Sequence, residues 1–152
     1  MSETSQRMVW IDLEMTGLDL ERESIIEIAT VITDSELNIL ATGPNLAIKV
    51  EQELLDGMDE WNTRHHHGSG LVQRIHDEGE ELSDAEQATV QFLKEWIEPG
   101  TAPLCGNSVW NDRQFLAKEM PAVLEMLHYR MIDVSTIKEL ARRWYPKAPF
   151  YA

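Results

Sequence analysis

The apolar positions change period along the chain, and the change divides it into two halves. Met8-Val9-Trp10-Ile11 is a short β-rich run that ends at Asp12, and residues 24–33 (SIIEIATVIT) form a longer one beyond the turn-like TGLDLERE. Both predict strands. A third is expected over residues 37–50, interrupted near Gly43-Pro44, with Asp34-Ser35-Glu36 as the intervening turn, so the opening half predicts an antiparallel meander. From residue 51 the spacing turns helical: 51–62 and 70–77 read as short helices around a polar segment, 63–69. Ser83 opens a longer helix, with Glu86 at the capping-box spacing and an apolar face built on Val90, Leu93 and Ile97. Glu98-Pro99-Gly100 ends it. Residues 102–105 predict a short buried strand, 112–120 a helix closed by Pro121, 129–134 another strand, and 135–144 a last helix. Strands first, then alternating helix and strand, predict an α/β fold: a mixed sheet with helices on its faces.

Composition narrows this picture. The chain has 152 residues, 43% hydrophobic and 26% charged, with 8 glycines and 6 prolines, which suits one globular domain with a core that needs no disulfide or structural metal. There is no internal repeat or linker, and the run His65-His66-His67-Gly68-Ser69 is read as native sequence. Lys and Arg total 13 against 27 Asp and Glu, a net charge of −14. That excess repels phosphates over most of the surface, so long duplex nucleic acid is not an expected partner. If a phosphodiester is the substrate, it should be short, with metal ions supplying much of the positive charge. A lone cysteine, Cys105, a polar start over residues 1–7 and the absence of any apolar run near 20 residues predict a cytoplasmic protein with no membrane partner.

Candidate chemistry begins at Asp12-Leu13-Glu14. The two-residue strand period puts both carboxylates on one face, where they could share a hard cation such as Mg2+ or Mn2+. Two acids at the surface end of a strand are the plainer alternative. The residues that follow decide between them. Asp12-Leu13-Glu14-Met15-Thr16-Gly17-Leu18 resembles the first motif of the DEDD exonuclease superfamily and, within it, the oligoribonuclease family. Ile25-Ile26-Glu27-Ile28-Ala29, Trp61-Asn62, Ser69-Gly70-Leu71, Cys105-Gly106-Asn107-Ser108, Asp112, Tyr129-Arg130 and the stretch from Asp133 to Trp144 extend the resemblance over nearly the whole chain.

The resemblance implies a ribonuclease H-like fold and a homodimeric 3′→5′ exoribonuclease. Such an enzyme cuts RNA of two to about five nucleotides into mononucleotides with two divalent cations, Mg2+ or Mn2+. Asp12, Glu14 and Asp112 would be catalytic and metal-binding. Asp112 at a helix start would equally serve the helix dipole. The family's remaining motif, a histidine that acts as general base and an aspartate five residues later, does not occur in the 152 residues. Residues 1–152 are therefore expected to form one exonuclease domain that stops short of that motif and of the helix carrying it. Apolar sheet surface would be left open, and activity lost or impaired. A catalytically dead nucleotide-binding homologue or dimeric scaffold is the competing reading. A polymerase proofreading subunit is disfavoured by the length of the match.

Leu18, in a turn, could wedge between bases, and Trp61 and Tyr129 could stack on them, although core packing suits such side chains equally. Arg130 offers a planar fork for a 5′ phosphate, and Ser108, Ser135 and Thr136 could add donors, the latter two at a helix start where simple capping is the alternative. His66 aligns with a family histidine that would reach the neighbouring subunit's substrate. A solvated loop histidine is the plainer expectation, and His65 and His67 leave the assignment uncertain by one position.

Overall fold

The computed structural model of the chain describes residues 6–147. Strands β1 (Met8–Met15), β2 (Ile25–Thr33) and β3 (Ile39–Ala47) form the antiparallel meander. Helices α1 (Gln52–Asp56), α2 (Glu60–Gly68), α3 (Leu71–Glu78) and α4 (Leu82–Trp96) follow. Then come β4 (Leu104–Gly106), α5 (Val109–Glu119), α6 (Pro121–Glu125), β5 (Met131–Asp133) and α7 (Val134–Trp144). The sheet order is β3-β2-β1-β4-β5, with β4 parallel to both β1 and β5. The expected mixed α/β sheet flanked by helices is thus the observed architecture.

The alternation in β1 sorts the two faces. Val9, Ile11 and Leu13 are buried, together with Ile28 and Ile32 of β2 and Leu104 of β4, in the main core that α4, α5 and α6 close. A second cluster joins Ile26 and Ala47 to Leu55, Met58, Leu71, Val72 and Ile75 from the α1–α3 region. Near Trp10, Ala29 and Val31, all partly exposed, the sheet is open to a groove that reaches Asp12 and Asp112. Among the described residues no helix is long and apolar enough to cross a membrane.

Four local expectations need correction. Residues 63–69 are mostly helical, in α2. Their polarity hid the helix because a single residue, His66, 1% exposed, anchors it, while Asp59 caps its start by accepting from Asn62 N–H at 2.7 Å. Ser83 is not a cap: α4 begins at Leu82 with no side-chain cap. Glu86 instead accepts from Ala122 N–H at 2.9 Å, satisfying a free amide in the first turn of α6. Pro121 does more than close α5, because it opens α6 at a position where its missing N–H costs nothing. Finally, β3 runs through Gly43-Pro44 with a register shift rather than a break, on the sheet edge where proline is tolerated. The Phe92 ring lies so close there that a Cβ on Gly43 would meet it at 2.6 Å.

Candidate active site

Because Val9, Ile11 and Leu13 point into the core, Asp12 and Glu14 share the opposite face of β1. Asp112 arrives from another part of the chain. Parallel pairing of β4 with β1 places the start of α5 beside the C-terminal half of β1, and Leu13 N–H donates to Asp112 Oδ2 at 3.3 Å. That bond ties the third acid to the backbone between the other two.

The electrostatics register the crowding. Burial first, with the charges of Asp12 and Glu14 adding to it, pushes the Asp112 carboxyl up to about 7 against the opposing bond from Leu13. Asp12 is raised by burial and then by the Glu27 charge. Glu14 is raised by burial, by Asp12 and by Glu27, with His65 working the other way. Three oxygen donors that resist ionising together are a fitting cradle for hard divalent cations, whose charge would reverse each of these shifts.

Two features of the acidic face escaped the sequence reading. Glu27 sits directly across from Glu14 in the β1–β2 ladder, and its carboxylate is ion-paired to Arg74 of α3, which also donates to Asn45 Oδ1 at 3.2 Å. An acid between Ile26 and Ile28 was the available signal, since strand alternation sends it to the polar face. His65 is the other. It stacks on Trp61 with centroids 4.7 Å apart and planes at 15°, and its Nε2 lies 4.0 Å from Glu14 Oε2.

His66 corrects the loop expectation. It is buried on a helix, its Nε2–H donates to Met15 O at 2.8 Å, and burial lowers its pKa. It thereby fastens α2 to the end of β1.

The turn after β1 is closed by Thr16 N–H to Ser24 O at 3.0 Å and by Ser24 N–H to Thr16 Oγ1 at 3.1 Å. It leaves Leu18 70% exposed, and Trp61 is 64% exposed. Between them lies a groove of about 420 Å³, lined in part by Leu13, Glu14, Met15 and Asn62. Core packing is thus excluded for both side chains, and Glu14 links the groove to the carboxylates.

Ser108, Ser135 and Thr136 are also brought together. Asp133 Oδ1 accepts from Ser108 N–H at 2.8 Å and from Ser135 N–H at 2.9 Å, which unites the starts of α5 and α7. Asp133 is therefore a helix cap. Tyr129 and Arg130 stand apart. Met131 pairs with Leu104, which pairs with Val9, so Arg130 lies level with Met8. That is four residues, or about 13 Å, short of Asp12 and two strands away. Tyr129 is 71% exposed, stacked on His128 at 4.4 Å, with the Arg130 guanidinium 5.6 Å from its centroid.

Comparison with known proteins gives the family and the fold. The exonuclease family model RNase_T matches residues 9–152. The oligoribonuclease of Yersinia enterocolitica is 56% identical over 147 residues, 97% of this chain and 81% of that protein. That of Alcanivorax borkumensis is 54% identical over 96% of this chain and 81% of its own. Among solved structures, Escherichia coli exonuclease I in complex with a 5cy-dA13 oligonucleotide superposes with a TM-score of 0.70 at 13% identity, over 93% of this chain. Exonuclease I of Methylocaldum szegediense gives 0.67 at 17% identity over 93%. This chain spans about 30% of those two larger proteins, and the likeness shows a shared ribonuclease H-like fold. With an exonuclease model covering all but its first residues and relatives more than half identical along nearly its whole length, the chain belongs to the oligoribonuclease family.

Proposed function

We propose that this protein is a 3′→5′ exoribonuclease that hydrolyses RNA of two to about five nucleotides to mononucleotides with divalent cations held by Asp12, Glu14 and Asp112. The observation that carries the reading is the convergence of those three carboxylates, fixed by the Leu13–Asp112 hydrogen bond. Asp12, Glu14 and Asp112 would hold the Mg2+ or Mn2+, whose positive charge would offset the negative charge that develops as the phosphodiester is cut. The protein's own part is to position the substrate. Leu18 and Trp61 hold the terminal bases in the groove that opens beside Glu14. The amides of Ser108 and Ser135 are taken by Asp133, so it is the hydroxyls of Ser108, Ser135 and Thr136 that donate to a phosphate, and a chain of few nucleotides is held at both ends.

Tyr129 and Arg130 are too far along the sheet from their own carboxylates to complete that grip. They serve the site of a second copy in a homodimer, where Arg130 clamps the 5′ phosphate and Tyr129 stacks on a base. His66 contributes by holding α2 in place. Exposed Trp110, Met131, Ile137, Leu140 and Trp144 give the α5–β5–α7 side an apolar surface suited to self-association. The work takes place in the cytoplasm, where the single buried Cys105 faces no oxidant.

The test is hydrolysis of 5′-labelled RNAs of two to ten residues by the protein with Mg2+ or Mn2+ and then with chelator. Loss of 3′ nucleotides from the shortest species, stopped by chelation, is expected. Equal use of every length, or turnover in chelator, would overturn the reading.

A further inference from the structure

Trp61 and His65 are four residues apart on α2, so their side chains share one face of the helix. Their rings stack at 4.7 Å and 15°. The groove beside Leu18 is lined by Trp61 and Glu14, the two side chains that the imidazole adjoins. The same imidazole presents Nε2 4.0 Å from Glu14 Oε2. One ring therefore lies against both the wall of the groove and a carboxylate of the acidic cluster. An indole as exposed as Trp61 has rotamer freedom to lose when a base stacks on it, and a ring behind it removes part of that loss before binding. Of three adjacent histidines only His65 is placed to do this, because His66 is buried against Met15 and His67, six residues from Trp61 on the helix, falls on another face.

We infer that His65 is a positioning residue: it braces the Trp61 indole upright at the groove wall and steers the Glu14 carboxylate, coupling the seat of the base to the cation-binding acids. The inference rests on the groove reading given above. His65 contacts neither substrate nor reacting atoms, so its effects pass through Trp61 and Glu14.

A double-mutant cycle tests it, with Trp61→Ala, His65→Ala, the pair together, and His65→Phe. Binding of a labelled dinucleotide is measured in chelator, and KM and kcat are measured with Mg2+. An aromatic pair of this geometry predicts that His65→Ala weakens dinucleotide binding by about 2- to 12-fold. The double variant should bind no more weakly than Trp61→Ala alone. His65→Phe, which keeps the ring and loses its nitrogens, should restore binding and KM while kcat stays below the parent. Circular dichroism of the two His65 variants separates these effects from misfolding, and the Phe variant keeps the test decisive if the Ala variant unfolds. Parental binding in a folded His65→Ala variant, full multiplication of the two single effects, or Phe failing to restore binding would overturn the inference while leaving the groove reading in place. A Trp61→Ala variant with unchanged binding would overturn both.

Discussion

Replacing Asp112 by asparagine should make the protein more stable while abolishing its activity. The Asp112 carboxyl, ordinarily at 3.8, is pushed up to about 7 in the folded protein. A native acid with a raised pKa binds its proton more tightly than the unfolded chain does. The contribution of this group to stability is therefore fully present below pH 3.8 and is lost as pH rises through 7, where the native carboxylate must ionise among its neighbours. The interval from 3.8 to 7 corresponds to about 4 kcal/mol, and solvent at this half-buried group screens that to about 2 kcal/mol. The asparagine amide has no charge to lose and still offers an oxygen to Leu13 N–H. In chelator at pH 8, Asp112→Asn should thus gain about 2 kcal/mol, or about 4–8 °C in melting temperature for a domain of this size. The gain should vanish near pH 4. Mg2+ should raise the parent's melting temperature and leave the variant's unchanged. Thermal unfolding between pH 4 and 8, with and without cation, reads all of this. A variant less stable than the parent at pH 8, or a difference independent of pH, would refute the account of the acidic cluster.

Asp12→Ala should reduce turnover below about one hundredth of the parent, the usual scale for losing an essential catalytic group, with an unchanged far-ultraviolet spectrum; greater residual activity counts against the cation assignment. Arg130→Ala should weaken binding of 5′-phosphorylated dinucleotides and leave their 5′-hydroxyl counterparts unaffected in a titration, and equal loss for both would remove the phosphate contact.

How much of this was legible in the sequence depended on how local the cause was. The β1 alternation was readable because its two faces meet different environments, so Asp12 and Glu14 could be placed together at once. Asp112 needed the family resemblance, since its partner Leu13 is 99 residues away and only the parallel β1–β4 pairing brings them together. The α2 helix was unreadable for the opposite reason: one buried histidine holds it, too little to set a helical period. Glu86 looked local at the capping-box spacing, yet its partner is Ala122, on a different helix. The Glu27–Arg74 pair and the separation of Tyr129 and Arg130 from the carboxylates both depend on strand register, which no short window of sequence displays.

The shared oxygen of Asp133 has a mechanical consequence. A single oxygen accepts from the N-cap amide of α5 and from an amide in the first turn of α7, across the 25 residues that separate Ser108 from Asp133, so the two helix starts are tied at one point. Asp112 sits one turn into the first of those helices, and Ser135 and Thr136 open the second. On the proposed reading, where Asp112 holds a cation and Ser135 and Thr136 meet a phosphate, that shared oxygen links the two and helps keep the spacing between gripping and cutting.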